Sequence, residues 1–145
     1  MHGIFGLVLL LLVAPAYPAY ADSPNQEKPL PDSQISQLLQ GKWRAEENGS
    51  AASILAVQDY RNDGTLVTIG TMTVAGRSVP LALSGVWKVV DGYIVATLEE
   101  SNIPQIRPGL VTRDYVLSID GSKLRYRTDS GKVSIRNRLR EPGAP

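Results

Sequence analysis

Cysteine is absent from the 145-residue sequence, and its single histidine is His2. The chain therefore offers no Cys nucleophile, no Ser-His-Asp triad, no His/Cys metal cluster and no disulfide framework. These absences argue against an enzyme and against a resident metal or cofactor. Long apolar runs are missing too: the stretch Ile4 to Ala14 falls short of the ~20 residues that cross a bilayer. Charge of one sign is also lacking, since 15 basic and 14 acidic side chains leave a net charge of +1. With aromatics at only 6%, little in the composition suggests nucleic-acid binding.

What is present begins with an export signature. Met1-His2-Gly3, the apolar run and the small-x-small site Ala19-Tyr20-Ala21 read as a signal peptide over residues 1–21, and an uncleaved anchor is the competing reading. The expected compartment is the periplasm, or the exterior for a secreted product. No Cys follows the cut, which excludes a lipid anchor. Residues 22–32 are polar with three prolines and read as a flexible leader, residues 33–140 as one domain, and 141–145 as a flexible tail. Asp32 or Ser33 is placed to cap a short helix in which Ile35, Leu38 and Leu39 recur at helical spacing before Gly41.

From Gly41 onward the period becomes two, with turn signals at near-regular intervals. Eight strands follow: Lys42 to Glu47, Ile54 to Tyr60, Thr65 to Val74, Val79 to Val90, Tyr93 to Glu100, Leu110 to Ile119, Lys123 to Thr128, and Lys132 to Leu139. Reading Asp91-Gly92, Asp120-Gly121 and Ser130-Gly131 as two-residue hairpin loops sets the register. It pairs Trp87 with Ala96, Val89 with Ile94, Gly85 with Leu98, Leu117 with Leu124, Tyr115 with Tyr126, Tyr126 with Ile135, and Thr128 with Val133. Consecutive short-turned strands with one apolar face predict an all-β, eight-stranded antiparallel up-and-down barrel behind a short helix. A two-sheet sandwich is the alternative.

Gly41-Lys42-Trp43 resembles the G-x-W motif of lipocalins, where a short helix precedes the first barrel strand. Tyr60-Arg-Asn-Asp-Gly-Thr65 and Gly85-Val-Trp-Lys-Val-Val-Asp-Gly-Tyr93 are similar to phrases of small bacterial lipocalin-like (calycin-type) domains, and the likeness covers about residues 34 to 139. The T-D-Y motif of the family appears only as Thr112-Arg113-Asp114-Tyr115. The resemblance implies a barrel with a small cavity or none. It also implies an arginine from the end of the last strand across Trp43, with Arg136, Arg138 and Arg140 as candidates.

Two groups of residues stand out as candidate sites. On the apolar face, Trp87, Arg113, Tyr115 and Tyr126 are candidates to bind a small hydrophobic or amphipathic ligand, with Arg113 anchoring its charged end. The bland reading puts Arg113 at the rim and lets Asn137 satisfy a backbone group. Basic residues crowd the C-terminal region, and the register puts Lys123, Arg125, Arg127, Arg136 and Arg138 on one outer face, with Asp114 facing Arg127. This is a solvated anti-aggregation face or an anion patch, centred on Arg125, Arg127, Arg136 and Arg138, for a lipid headgroup, acidic polysaccharide or acidic protein. Adjacent Glu46/Glu47 and Glu99/Glu100 point to opposite sides of their strands and cannot easily converge as acid and base. The Asn102 to Gly109 loop is a lid over the open end or merely a loop. The expected protein is a monomeric, non-enzymatic binding module, and the alternative is an inhibitor, immunity or envelope-assembly factor that uses its outer surface. Partners are a small ligand, an anionic envelope component or a protein, and no nucleic acid.

Overall fold

The computed structural model describes residues 28–141, so the expected signal peptide and most of the leader lie outside the described residues. Helix α1 (Asp32–Leu39) precedes β1 (Gly41–Asn48), β2 (Ala52–Tyr60), β3 (Thr65–Val74), β4 (Arg77–Val90), β5 (Tyr93–Ser101), β6 (Val111–Ile119), β7 (Lys123–Thr128) and β8 (Val133–Arg138). Each strand pairs antiparallel with the next, and β8 returns to β1, so the sheet closes into an up-and-down barrel. This is the predicted architecture, compatible with a lipocalin-like fold, and the sandwich is discarded.

Helix α1 buries Ile35 and Leu39 against one end of the barrel. Asp32 opens the helix but does not cap it. Its carboxylate instead accepts hydrogen bonds from the backbone N–H groups of Asp91 and Gly92, both at 2.8 Å, and so ties the helix to the β4–β5 turn. That turn has positive φ at Asp91 (51°) and Gly92 (78°), the conformation a two-residue hairpin loop needs. Its register is as expected: Trp87 faces Ala96, Val89 faces Ile94 and Gly85 faces Leu98.

The other two hairpins depart from the expected register, each for a local reason. Asp120 Oδ1 accepts from Ser122 N (2.7 Å) and Lys123 N (2.8 Å), which moves the tight turn to Gly121-Ser122 and sets Ile119 against Leu124. A bulge between Val116 and Ser118 then leaves Leu117 without an opposite residue and reverses the faces of the rest of β6. Val116, not Tyr115, faces Tyr126, and Asp114 lies opposite Thr128 instead of Arg127. Between β7 and β8, Thr128 N donates to Lys132 O at 2.9 Å and Gly131 has φ 86°, so the loop has three residues rather than two. Tyr126 consequently faces Ser134, Leu124 faces Arg136 and Arg125 faces Ile135.

These shifts redistribute side chains across the wall. Arg136 turns inward and is 5% exposed, whereas Ile135, expected inside, is 47% exposed. The revised register has a simple check: Ile135→Thr should change the unfolding free energy by no more than about 0.5 kcal/mol in urea titration. A loss of about 2 kcal/mol or more would put that side chain back inside the barrel.

Candidate functional site

The barrel interior is divided. Toward α1 it is packed solid by Trp43, Tyr60, Trp87, Ile94, Leu124 and Tyr126. Trp87 donates from Nε1 to Arg61 O at 3.0 Å and meets Tyr60 edge to face at 5.5 Å, so it acts as filling. At the opposite end Ala56, Leu81 and Ile103 form a second apolar cluster, to which the loop after β5 contributes Ile103 and Ile106. Asn102 pins that loop to β4 by donating to Pro80 O (2.9 Å) and accepting from Ala82 N (2.8 Å). The loop is thereby held against β4 and buries Ile103 in that cluster.

Against this apolar frame stands a buried polar chain centred on Arg136. Its Nη2 donates to Asp114 Oδ2 at 3.0 Å, and its Nη1 donates to the Tyr60 hydroxyl at 2.9 Å. The guanidinium carbon lies 4.1 Å from the Tyr126 ring centroid, and the Tyr126 hydroxyl donates to Glu47 Oε1 at 3.3 Å. Tyr60 in turn donates to Gln58 Oε1 at 3.4 Å. Burial pushes the Asp114 carboxyl above the usual carboxylate range, because desolvation outweighs the opposing pull of Arg136. Burial likewise raises the Tyr60 and Tyr126 phenols, against the pull of Arg136. For Arg136 itself burial favours loss of the proton, but Tyr60, Tyr126 and Asp114 outweigh it and hold the guanidinium charged.

Beside this chain lies a cavity of about 120 Å³. Leu66, Leu83, Ala96 and Leu98 give it an apolar wall, with Ile106 and Leu110 over it from the loop side. Gln58, Thr68 and Thr112 supply polar atoms, and Gln58 links the cavity to the Arg136 chain. Gly85 borders it where β4 bulges against β5; a Cβ there would collide with the carbonyl oxygen of Thr97.

The structure places the expected ligand residues elsewhere. Trp87 and Tyr126 are buried in the packed end and do not border the cavity. Arg113 and Tyr115 lie on the outer wall, because the Leu117 bulge reverses their face, so Arg113 is no interior anchor. The expected four-arginine patch is also dispersed: Arg125 and Arg127 are outside, Arg136 is inside, and Arg138 lies over the Trp43 ring at 4.4 Å. Asn137 is exposed, paired opposite Lys123 and Arg44. Of the cavity lining, only Gly85, Ala96 and Leu98 were legible, through the β4–β5 register. Gln58 and Thr68 follow from the same alternation once it is carried around the barrel, whereas Thr112 reaches the cavity only because of the Leu117 bulge. Among the described residues no group of three or more Asp, Glu, His or Cys is arranged to hold a metal. No protein-family model matches the chain, and no curated protein matches it either.

The buried pair generates two predictions. Arg136→Leu alone should lose about 3–5 kcal/mol, because it strands the Asp114 carboxyl, whereas Arg136→Leu with Asp114→Leu should recover most of that loss. A double variant as unstable as the single one would assign the loss to packing instead. The pH dependence has a definite sign as well. A carboxyl raised in the folded state binds its proton more tightly there than in the unfolded chain, so its contribution to stability is full below the unfolded value of ~3.9. That contribution falls as pH rises through the raised folded value. The stability difference, wild type minus Asp114→Asn, should therefore shrink as pH rises from about 4. A difference that grows with pH would mean that Arg136 outweighs burial.

Proposed function

We propose that the protein is an exported, lipocalin-like, non-enzymatic binding module whose barrel takes one compact amphipathic molecule. The observation that carries this reading is the cavity of about 120 Å³, whose lining combines Leu66, Leu83, Ala96 and Leu98 with the polar side chains of Gln58, Thr68 and Thr112. It is close in size to the roughly 150 Å³ cavity that lodges a benzene molecule, and well below the ~300 Å³ at which sites for drug-sized ligands begin. A long acyl chain does not fit beside Trp87, Tyr60 and Tyr126. The narrowed ligand class is a short-chain or single-ring molecule with one hydrogen-bonding end, its apolar body against Leu66, Leu83 and Leu98 and its polar end at Gln58 or Thr112. The family resemblance supports the same reading through Gly41-Lys42-Trp43 and the arginine across Trp43.

A second reading, a protein-binding factor that uses the outer wall, draws support from Leu55 and Ile69. These are 47% and 56% exposed on neighbouring strands, beside Val57.

Native mass spectrometry of the purified protein and thermal shift with benzyl alcohol, hexanol and butyrate separate the two readings. The barrel site predicts a co-purifying small mass or a rise in Tm with at least one of these molecules. Thr112→Trp, a change at an exposed position on the cavity's edge, should abolish that rise while leaving the ligand-free Tm within a few degrees. A bare mass with no shift from any compact amphiphile would overturn the barrel site and favour the outer-wall reading.

A further inference from the structure

The reversal of β6 creates an outer surface that the sequence pattern does not show. Along one row of the wall, Val90 faces Tyr93, Tyr93 faces Tyr115, Tyr115 faces Arg127 and Arg127 faces Val133. The two tyrosine rings meet edge on at 5.0 Å. Arg113 lies over Tyr93 at 5.2 Å and Arg127 over Tyr115 at 5.4 Å, so each ring is paired with a guanidinium. The neighbouring rows add Lys88, opposite Val95, and Arg125, opposite Ile135. Lys88, Arg113, Arg125 and Arg127 are all exposed.

Four observations make this more than a solvated strand face. The carboxylate of this wall, Asp114, points into the barrel and is committed to Arg136. From Tyr93 to Thr97 on β5, and throughout β6, β7 and β8, no outward position carries Asp or Glu. Among the described residues, none of Lys88, Arg113, Arg125 and Arg127 forms an ion pair with a carboxylate. Exposed apolar side chains are interleaved with the cations: Val90 at 37%, Val133 at 46% and Ile135 at 47%.

We propose that this wall is a docking surface for an anionic lipid bilayer. The cations are spread over a convex surface and do not converge on a point, which suits a layer of headgroups better than a single small anion. Tyrosines, arginines and exposed branched aliphatics together form the composition that settles at a membrane interface, where the rings sit at headgroup depth and the cations meet acidic lipid. A soluble acidic protein would satisfy the charges but leave Val90, Val133 and Ile135 without a reason to accompany them. The surface lies on a different part of the molecule from the interior cavity and does not depend on it.

The test is co-sedimentation of the purified protein with vesicles of phosphatidylcholine alone and of an equal mixture of phosphatidylcholine and phosphatidylglycerol. Binding is expected to the mixed vesicles only, falling steeply as salt shortens the range of exposed charges to about 10 Å at 0.1 M. Each cation brought to an acidic surface is worth about a five-fold change in partitioning, so Arg113→Gln with Arg127→Gln should weaken binding by about 25-fold. Both side chains are exposed, and an unchanged urea midpoint would establish that the fold is intact. Arg61→Gln, in the β2–β3 turn and paired with Asp59, should bind as wild type. Equal binding to neutral vesicles, or no effect of the double change, would overturn the proposal. Binding to soluble polyglutamate without binding to mixed vesicles would overturn it in favour of an acidic protein partner.

Discussion

Closure of the barrel depends on Arg138. The seam between β8 and β1 has two paired positions, Trp43 with Arg138 and Arg44 with Asn137, against eight between β1 and β2. So short a ladder leaves much of the closure to side chains. Arg138 lies across the Trp43 ring at 4.4 Å, donates from Nη1 to Gln40 O at 2.7 Å, and donates from Nη2 to Leu38 O. Trp43 Nε1 donates to Leu39 O at 2.7 Å. The last carbonyls of a helix have no partner within it, and a cation at that end is favoured by the helix dipole. One guanidinium and one indole thus satisfy the end of α1, seat it on the barrel floor and hold the first strand to the last. Gly41 belongs to the same unit: its φ is 118°, and a Cβ there would lie 2.6 Å from Arg138 Nη1. The Gly-x-Trp motif and the distant arginine are two halves of one contact, which is why the resemblance located it without any knowledge of the register.

The sequence made the architecture legible because hydrophobic alternation and turn residues repeat in all eight strands, and one local error does not disturb the count. Placement of individual side chains is less forgiving, since a one-residue slip moves a side chain to the other face. Asp91-Gly92 was readable because positive φ at both positions matches a two-residue loop and nothing else competes for the turn. Ser130-Gly131 resembles the same signal, yet Gly131 closes a three-residue loop, and the extra residue sends Arg136 in and Ile135 out. The Leu117 bulge has no sequence mark: Val116, Leu117 and Ser118 offer no glycine or proline. What it achieves is visible only in three dimensions, where it brings Asp114 to Arg136.

That pairing explains why burying a charged arginine is tolerable. An isolated guanidinium in an apolar core would be prohibitive, but this one has a carboxylate, a phenol and the face of Tyr126 around it. The two-residue reading of Ser130-Gly131 put Ile135 inside and Arg136 outside, and nothing local in the sequence signals otherwise, because the partners of Arg136 come from β2, β6 and β7, none adjacent in sequence. The same packing limits the cavity. Two aromatic rings and a guanidinium occupy space that a ligand would otherwise use, and what remains lies beneath the loop that carries Ile106 and Leu110.

Inside and outside are therefore linked through Asp114. Had β6 kept the simple alternation, Asp114 would have pointed outward, Arg113 would have sat inside, and the wall would have carried a carboxylate among its cations. The bulge reverses both together. The interior gains the acid that its arginine requires, and the outer wall loses the only negative charge on β6 while gaining Arg113 and the Tyr93–Tyr115 contact. A register defect of one residue thereby produces a neutralised core and an unneutralised basic face at once. Removing the bulge would reverse both, so neither property can be adjusted through the backbone of β6 without changing the other.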